Sequence, residues 1–384
     1  MALITSYVAY PLIVSLIAKL RTKNDIVYRD TDSWPVVSVL MSVYNEEKYI
    51  AKKMHSLLSQ EYPGIFKIYI GSDHSDDNSN KILSRYADAH ENVHFYPYTE
   101  RRGKPSVIND LHKEITSTNN SSSEHIYILT DANVILSDQV IYQLSKHFRN
   151  SAIGLVDANM QYTGISDMGI SEAENIYLSS EVQLKSNESI AWKKMIGPFG
   201  GCYAIRAELF DVVPSNYLVD DFFLAMKVFE KGKSAINELS AICYEPVTHK
   251  LSQEYKRKKR ISAGNFQNLF HFYKLFNPFT QLGLSLIAHK LLRWVGPFFI
   301  GLIIIISIYL AIEGVKFYAI VCSLLVIWFI IIPLVDYLFS AIGWHIKILR
   351  SISYFNLMNV ALMSGFFKFL SGIKAGVWER TERT

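Results

Sequence analysis

Cysteine is scarce in this chain of 384 residues, and charge is thin. The three cysteines, Cys202, Cys243 and Cys322, lie far apart and form no CxxC pair. That spacing excludes a disulfide framework and a thiolate zinc site, and suits a reducing compartment. Only 19% of the residues are charged, below the roughly 25% of soluble domains. The net charge of +4 is too small to argue for a nucleic-acid partner, and none is expected. No internal repeat is found.

Apolar sequence takes the place of charge: half the residues are hydrophobic. Trp294 to Ile312 and Phe317 to Val335 carry no charge and are joined only by Glu313-Gly314-Val315-Lys316. Each run nears the ~20 residues that cross a ~30 Å hydrocarbon core, so the pair reads as a membrane hairpin. Ala2 to Ala18 is shorter and holds Pro11, but Lys19, Arg21 and Lys23 follow it. Basic residues after the apolar run, with no cleavage site, favour an anchor helix (1–20) over a signal peptide and place residues 19–293 in the cytoplasm. A multi-pass protein of the cell membrane is expected. Phe270 to Arg293, closing a 251–293 segment, reads as interfacial helix. Ile352 to Ile373 reads as a further span, a re-entrant helix or a channel wall, within a membrane region of 294–373 before a 374–384 tail.

Between these ends, residues 34–250 alternate strand and helix. Val36 to Val43, Phe66 to Ile70, Val93 to Tyr98 and Ile126 to Thr130 are short apolar runs. Helical stretches follow each, starting at Asn45-Glu46-Glu47, about Asp77, about Lys104 and Ser137. This predicts an α/β domain with a mostly parallel sheet, whose ligands bind beyond the carboxyl ends of the strands. The polar residues there are Asn45 and Glu46; Ser72, Asp73 and His74; Arg101 to Lys104; and Asp131 with Asn133. Residues 119–124 (NNSSSE) read as a solvent-exposed connector.

The segments PVVSVLMSVYNEE, IGSDHSDDNS, RRGKPSVIND, TDANV, GPFGGCYAIR, VDDFFLAMKV and RKKRISAGNFQ resemble, in order, the motifs of the inverting family 2 glycosyltransferases. The likeness runs from about Pro35 to Gln267 and is nearest the membrane-bound, cellulose-synthase-like branch. It implies a GT-A (Rossmann-like) domain that binds a UDP-sugar, and transfer to a glycan or lipid-linked acceptor at the membrane. By resemblance Asp73 binds uracil, with Asn45 and Glu46 in the loop around base and ribose. A helix cap is the alternative for Asp73, but Asp77 is the more natural cap. Asp131 and Asn133 take the place of the aspartate-x-aspartate pair that holds Mg²⁺ or Mn²⁺ on the donor diphosphate. The amide at 133 departs from the commonest pattern, and an ordinary strand-end turn is the competing reading. Lys104, after Gly103, is placed to reach the diphosphate. The adjacent arginines read equally well as a solvated loop.

Asp220 and Asp221 occupy the base motif, with Asp221 as general base and Asp220 as positioning group or helix cap. The glycine-rich stretch through Gly200, Gly201 and Cys202 is expected to wrap the sugar. Arg260 is a candidate diphosphate ligand. Arg257-Lys258-Lys259-Arg260-Ile261 lacks the glutamine and tryptophan of processive relatives, which speaks against a cellulose-like mechanism; residues 257–259 are expected to meet lipid headgroups. His249 is a candidate third metal ligand or a surface histidine. Two enzyme readings compete, a polymer synthase needing a partner subunit or oligomer for export and an enzyme adding single sugars to a lipid carrier. A catalytically silent nucleotide-sugar-binding regulator is the rival class, and a nucleotidyltransferase a distant third.

Overall fold

The computed structural model describes residues 1–21, 26–29, 31–118, 124–165, 170–247, 251–344 and 346–377. Most of the 119–124 connector lies outside them, as does His249. The sheet has eight strands: β1 (Val36–Val43), β2 (Phe66–Asp73), β3 (Val93–Tyr98), β4 (His125–Thr130), β5 (Ile135–Leu136), β6 (Ile153–Thr163), β7 (Cys202–Arg206) and β8 (Ser234–Pro246). Their order is β3-β2-β1-β4-β7-β6-β8-β5.

Strands β3, β2, β1 and β4 run parallel. β7 then inserts antiparallel to both β4 and β6, and β6 pairs parallel with β8. The expected mostly parallel sheet is thus realised in one half only. The other half is mixed because β7 enters from the glycine-rich turn at 200–201, which reverses the chain beside Thr130.

The sheet is covered on both faces, as the apolar runs require. On one face Val37, Val39 and Met41 of β1 pack against Ile50, Met54 and Leu57 of α2 (Glu47–Leu58). These helix residues fall at i, i+4 and i+7, one buried stripe. On the other face Leu40 meets Val107, Ile108, Leu111 and Ile115 of α4 (Lys104–Thr118). Between them in sequence lies α3 (Ser79–Ala89), and Asp77 does cap it, its Oδ1 accepting the Ser79 amide at 2.9 Å. Further on come α5 (Val140–Ser145), α6 (Ile170–Trp192) and α7 (Asp220–Glu230).

The N-terminal run is a single helical rod, α1 (Ala2–Lys19). Pro11 is accommodated just after a π-helical turn, Thr5–Ala9, where the hydrogen-bond register already changes. Tyr10, Val14 and Ala18 are buried against Leu184 and Ala191 of α6, while Val8, Leu12, Ile13 and Leu16 are exposed.

The 251–293 segment, expected as interfacial helices, forms two helices. α8 (Leu251–His271) ends in a 3₁₀ turn at Tyr273–Phe276, and α9 (Gln281–Trp294) then bends by 56° into α10 (Gly296–Ile312). Pro297, in the first turn of α10, cannot continue the ladder of α9. α10 and α11 (Lys316–Ala341) form the hairpin. Among the described residues α1 and α11 are long and apolar enough to cross a membrane, and a third span results if α9 and α10 act together. The last helix, α12 (Lys347–Leu370), packs along α8. Gly365 permits that approach, since a Cβ there would lie 2.4 Å from that of Ser262.

Candidate active site

At the carboxyl ends of the central strands lies a cavity of about 330 Å³, at the low end for small-molecule sites. Asp131 follows β4, Asp220 and Asp221 open α7, and Lys104 opens α4; all four line it. Lys104 Nζ donates to Asp131 Oδ1 at 2.8 Å and lies 3.5 Å from Asp220 Oδ2. Burial works against the Lys104 charge, but Asp131 and Asp220 outweigh it and hold its pKa above that of an ordinary lysine.

Asp221 is shifted the other way. Burial, then the neighbouring charge of Asp220, pushes its carboxyl up to about 7 against the opposing pull of Lys104. Gly200 lies directly against it: with φ at +77°, and with a Cβ that would come 2.3 Å from Asp221 Oδ2, no other residue fits. Gly201 also lines the cavity, and its carbonyl accepts the Asp131 amide at 3.0 Å. Arg260 is on the wall, donating to the Leu218 carbonyl at 2.9 Å; burial and the nearby Arg257 lower its pKa.

The other expected residues are placed differently. Asp73 is buried outside the cavity lining, Oδ1 accepting the Arg102 amide at 2.7 Å and Oδ2 the Gly103 amide at 2.9 Å. It thereby fixes the loop that carries Lys104. Asn45 sits at φ +54°, and its Oδ1 accepts the Asp76 amide at 3.0 Å, tying the loops after β1 and β2 together; the Glu46 amide donates to Ser79. Arg101 lies over the Tyr44 ring and Arg102 pairs with Asp110. Asn133 is buried beneath the cavity, its amide donating to Glu245 at 3.5 Å. Cys202, expected at the sugar pocket, instead turns into the core beside Cys243, because the first residue of β7 points to the opposite face from Gly201.

Arg257 and Lys258, expected at lipid headgroups, are largely buried in ion pairs. Glu174 Oε1 lies 3.3 Å from Arg257 and 3.2 Å from Lys258, and Glu254 pairs with both. Although burial raises it, Lys258 and Arg257 bring the Glu174 pKa down to about 2. Two helical turns along, Glu181 takes Lys290 at 3.0 Å, His289 at 3.1 Å and Arg293. Glu174 and Glu181 both line the cavity, and sequence reasoning missed them. The available signal was their heptad spacing with Glu188, which places three carboxylates on one stripe of α6.

Two family models match the chain: residues 38–213 match Glycosyl transferase family 2 and residues 174–340 match Glycosyl transferase family group 2. A poly-beta-1,6-N-acetyl-D-glucosamine synthase of Staphylococcus epidermidis is 24% identical over 238 residues, 61% of this chain and 55% of the synthase. The chain therefore spans little more than half of that relative. Glycosyltransferase AglE of Haloferax volcanii is 23% identical over 241 residues, covering 62% of this chain and 75% of the relative. Among solved structures, the mannosyltransferase PcManGT from Pyrobaculum calidifontis, in complex with GDP-Man and Mn²⁺, superposes with a TM-score of 0.68 at 20% identity. The superposition covers 94% of this chain and 95% of that one, which establishes a shared fold.

Proposed function

Since the chain belongs to the family 2 glycosyltransferases and has the GT-A fold, we propose that it transfers a sugar from a UDP-sugar to a membrane-associated glycan or lipid-linked acceptor, inverting the anomeric carbon. The observation that carries this reading is Asp221, a carboxyl brought to about 7 inside a cavity it shares with Asp131, Asp220 and Lys104. A base poised near the working pH suits proton removal from a hydroxyl.

In the proposed reaction the acceptor hydroxyl gives its proton to Asp221 as its oxygen bonds the anomeric carbon. The bond from that carbon to the diphosphate breaks, and UDP departs with the electron pair. Asp220 raises the basicity of Asp221 and holds Lys104 in place. Lys104 and Arg260 bring positive charge to the departing diphosphate. Asp73 is assigned to uracil: each of its oxygens has a lone pair beyond the one used by the backbone. Asn45 and Glu46 shape the base and ribose loop.

The hard carboxylate oxygens of Asp131 suit a divalent cation, which would take the place of the Lys104 ammonium now 2.8 Å from Asp131 Oδ1. Asp131 would hold Mg²⁺ or Mn²⁺, with the donor diphosphate supplying other ligands. Among the described residues no three His, Cys, Asp or Glu groups form a complete site. Bound there, the ion would supply Lewis-acid stabilisation of the leaving group. The two apolar helices α1 and α11 support a membrane location, and the basic residues Lys19, Arg21 and Lys23 that follow the first apolar run favour a cytoplasmic catalytic domain.

The test uses the full chain in detergent, screened with UDP-sugars beginning with UDP-N-acetylglucosamine, in Mg²⁺ and then Mn²⁺. UDP release coupled to a glycosylated product is expected. UDP binding without turnover of any donor would overturn the enzyme reading in favour of a silent regulator. Product length separates a polymer synthase from single addition.

A further inference from the structure

The cavity has a second end, away from Asp131, which the proposed chemistry leaves unused. Its walls come from α6, through Glu174, Tyr177 and Glu181, and from Arg293 of α9. Tyr7 of α1 lines it as well, on the helix whose Val8, Leu12 and Leu16 are exposed. Tyr7 and Tyr177 are 42% and 39% exposed although both line the cavity, so they stand at its rim. The Arg293 guanidinium lies over the Tyr7 ring at 4.7 Å, and the Lys258 ammonium over the Tyr177 ring at 5.0 Å. Both rings are thereby held in place.

Charge at this end is already balanced. Glu174 and Glu254 share Arg257 and Lys258, Glu181 pairs with Lys290 and Arg293, and His289 bridges Glu181 and Glu188, so four carboxylates meet four permanent cations. An anionic phosphate entering here would have to pull a cation from a carboxylate, leaving a buried charge uncompensated, which is costly. A neutral sugar has no such conflict. Its hydroxyls both donate and accept, and so match a wall where carboxylates and cations alternate, while its C–H faces match tyrosine rings. Tyrosine is also suited to a membrane boundary, with an apolar ring and a polar tip.

We propose that this end is the acceptor subsite, that it takes the neutral terminal sugar of a membrane-held glycan, and that this sugar enters past Tyr7 and Tyr177, between α1 and α6. The proposal rests on the glycosyltransferase reading. Tyr177 is a specificity residue here, distinct from the groups that carry the chemistry.

The experiment gives the full chain in detergent two acceptors that share a tail: undecyl-linked N-acetylglucosamine, which is neutral, and undecyl phosphate. Transfer to, or competition by, the neutral glycolipid alone is expected. Tyr177→Ala should raise the KM for the glycolipid about tenfold with little change in kcat, and Tyr177→Phe, which keeps the ring, should restore it. Tyr7→Ala should act in the same direction. The inference is overturned if undecyl phosphate serves as well as the glycolipid, if neither compound acts, or if both alanine variants keep the parent KM. Failure of the parent protein to bind UDP would instead sink the glycosyltransferase reading, and this one with it.

Discussion

Two groups of carboxylates face the same cavity and are held in opposite states. Asp131 and Asp220 share the ammonium of Lys104, which acts on Asp221 only at longer range, and burial with the charge of Asp220 pushes the Asp221 carboxyl up to about 7. On α6, Glu174 and Glu181 each meet two or more cations; Glu174 is held at about 2 and Glu181 well below the usual carboxylate range. Burial opposes ionisation at both places, and the ratio of cations to carboxylates decides the outcome. A shortage of cations produces a base; a matched supply produces a strut that joins α6 to α8 and α9.

The largest effect that would break this contrast is on turnover. Asp221→Asn should lower kcat by roughly 10²–10⁴-fold while UDP affinity, read by calorimetry, is kept. Near-normal turnover would remove Asp221 from the role of base. Next comes the strut. Glu181→Gln leaves Lys290 and Arg293 without their carboxylate, and should cost about 3–5 kcal/mol of stability, seen as an earlier thermal transition in detergent. An unchanged transition would show that the α6 pairs do not hold the helices together.

A smaller effect is on pH. Because the base form of Asp221 is needed, activity should fall about tenfold per pH unit below 7 and level off above it. Stability runs the opposite way. The raised Asp221 pKa favours the fold while the group is protonated, and that contribution is lost as pH rises through about 7. Asp221→Asn should therefore flatten the stability profile between about pH 4 and 7, shifting the melting temperature at pH 8 upward by a few degrees. A profile identical to the parent's would place the titration elsewhere.

The parallel half of the sheet was legible because β1 to β4 are short apolar runs, each followed by a polar turn and a helix. The same logic put Lys104 and Asp131 beyond the carboxyl ends of strands of one sheet, whereas Asp221, at the start of α7, was reached only through the resemblance of its motif. The half built from β6 and α6 was not legible. Asp157 and Asn159 interrupt the apolar pattern of β6; Asp157 is tolerated there because Lys185 of α6 neutralises it at 3.0 Å, in the fully buried interior. Arg257 and Lys258 looked like headgroup ligands because, beside the local Glu254, their partner Glu174 is more than 80 residues away in the chain.

By itself the sequence determined the apolar rods, the strand and helix alternation and the order of the motifs, all of which follow from local hydrophobic period and turn chemistry. Only the tertiary structure decided which charges are matched. Ion pairing depends on distances between elements remote in sequence, and it separates the carboxylates of α6, kept ionised by matching cations, from Asp221, left free to take a proton.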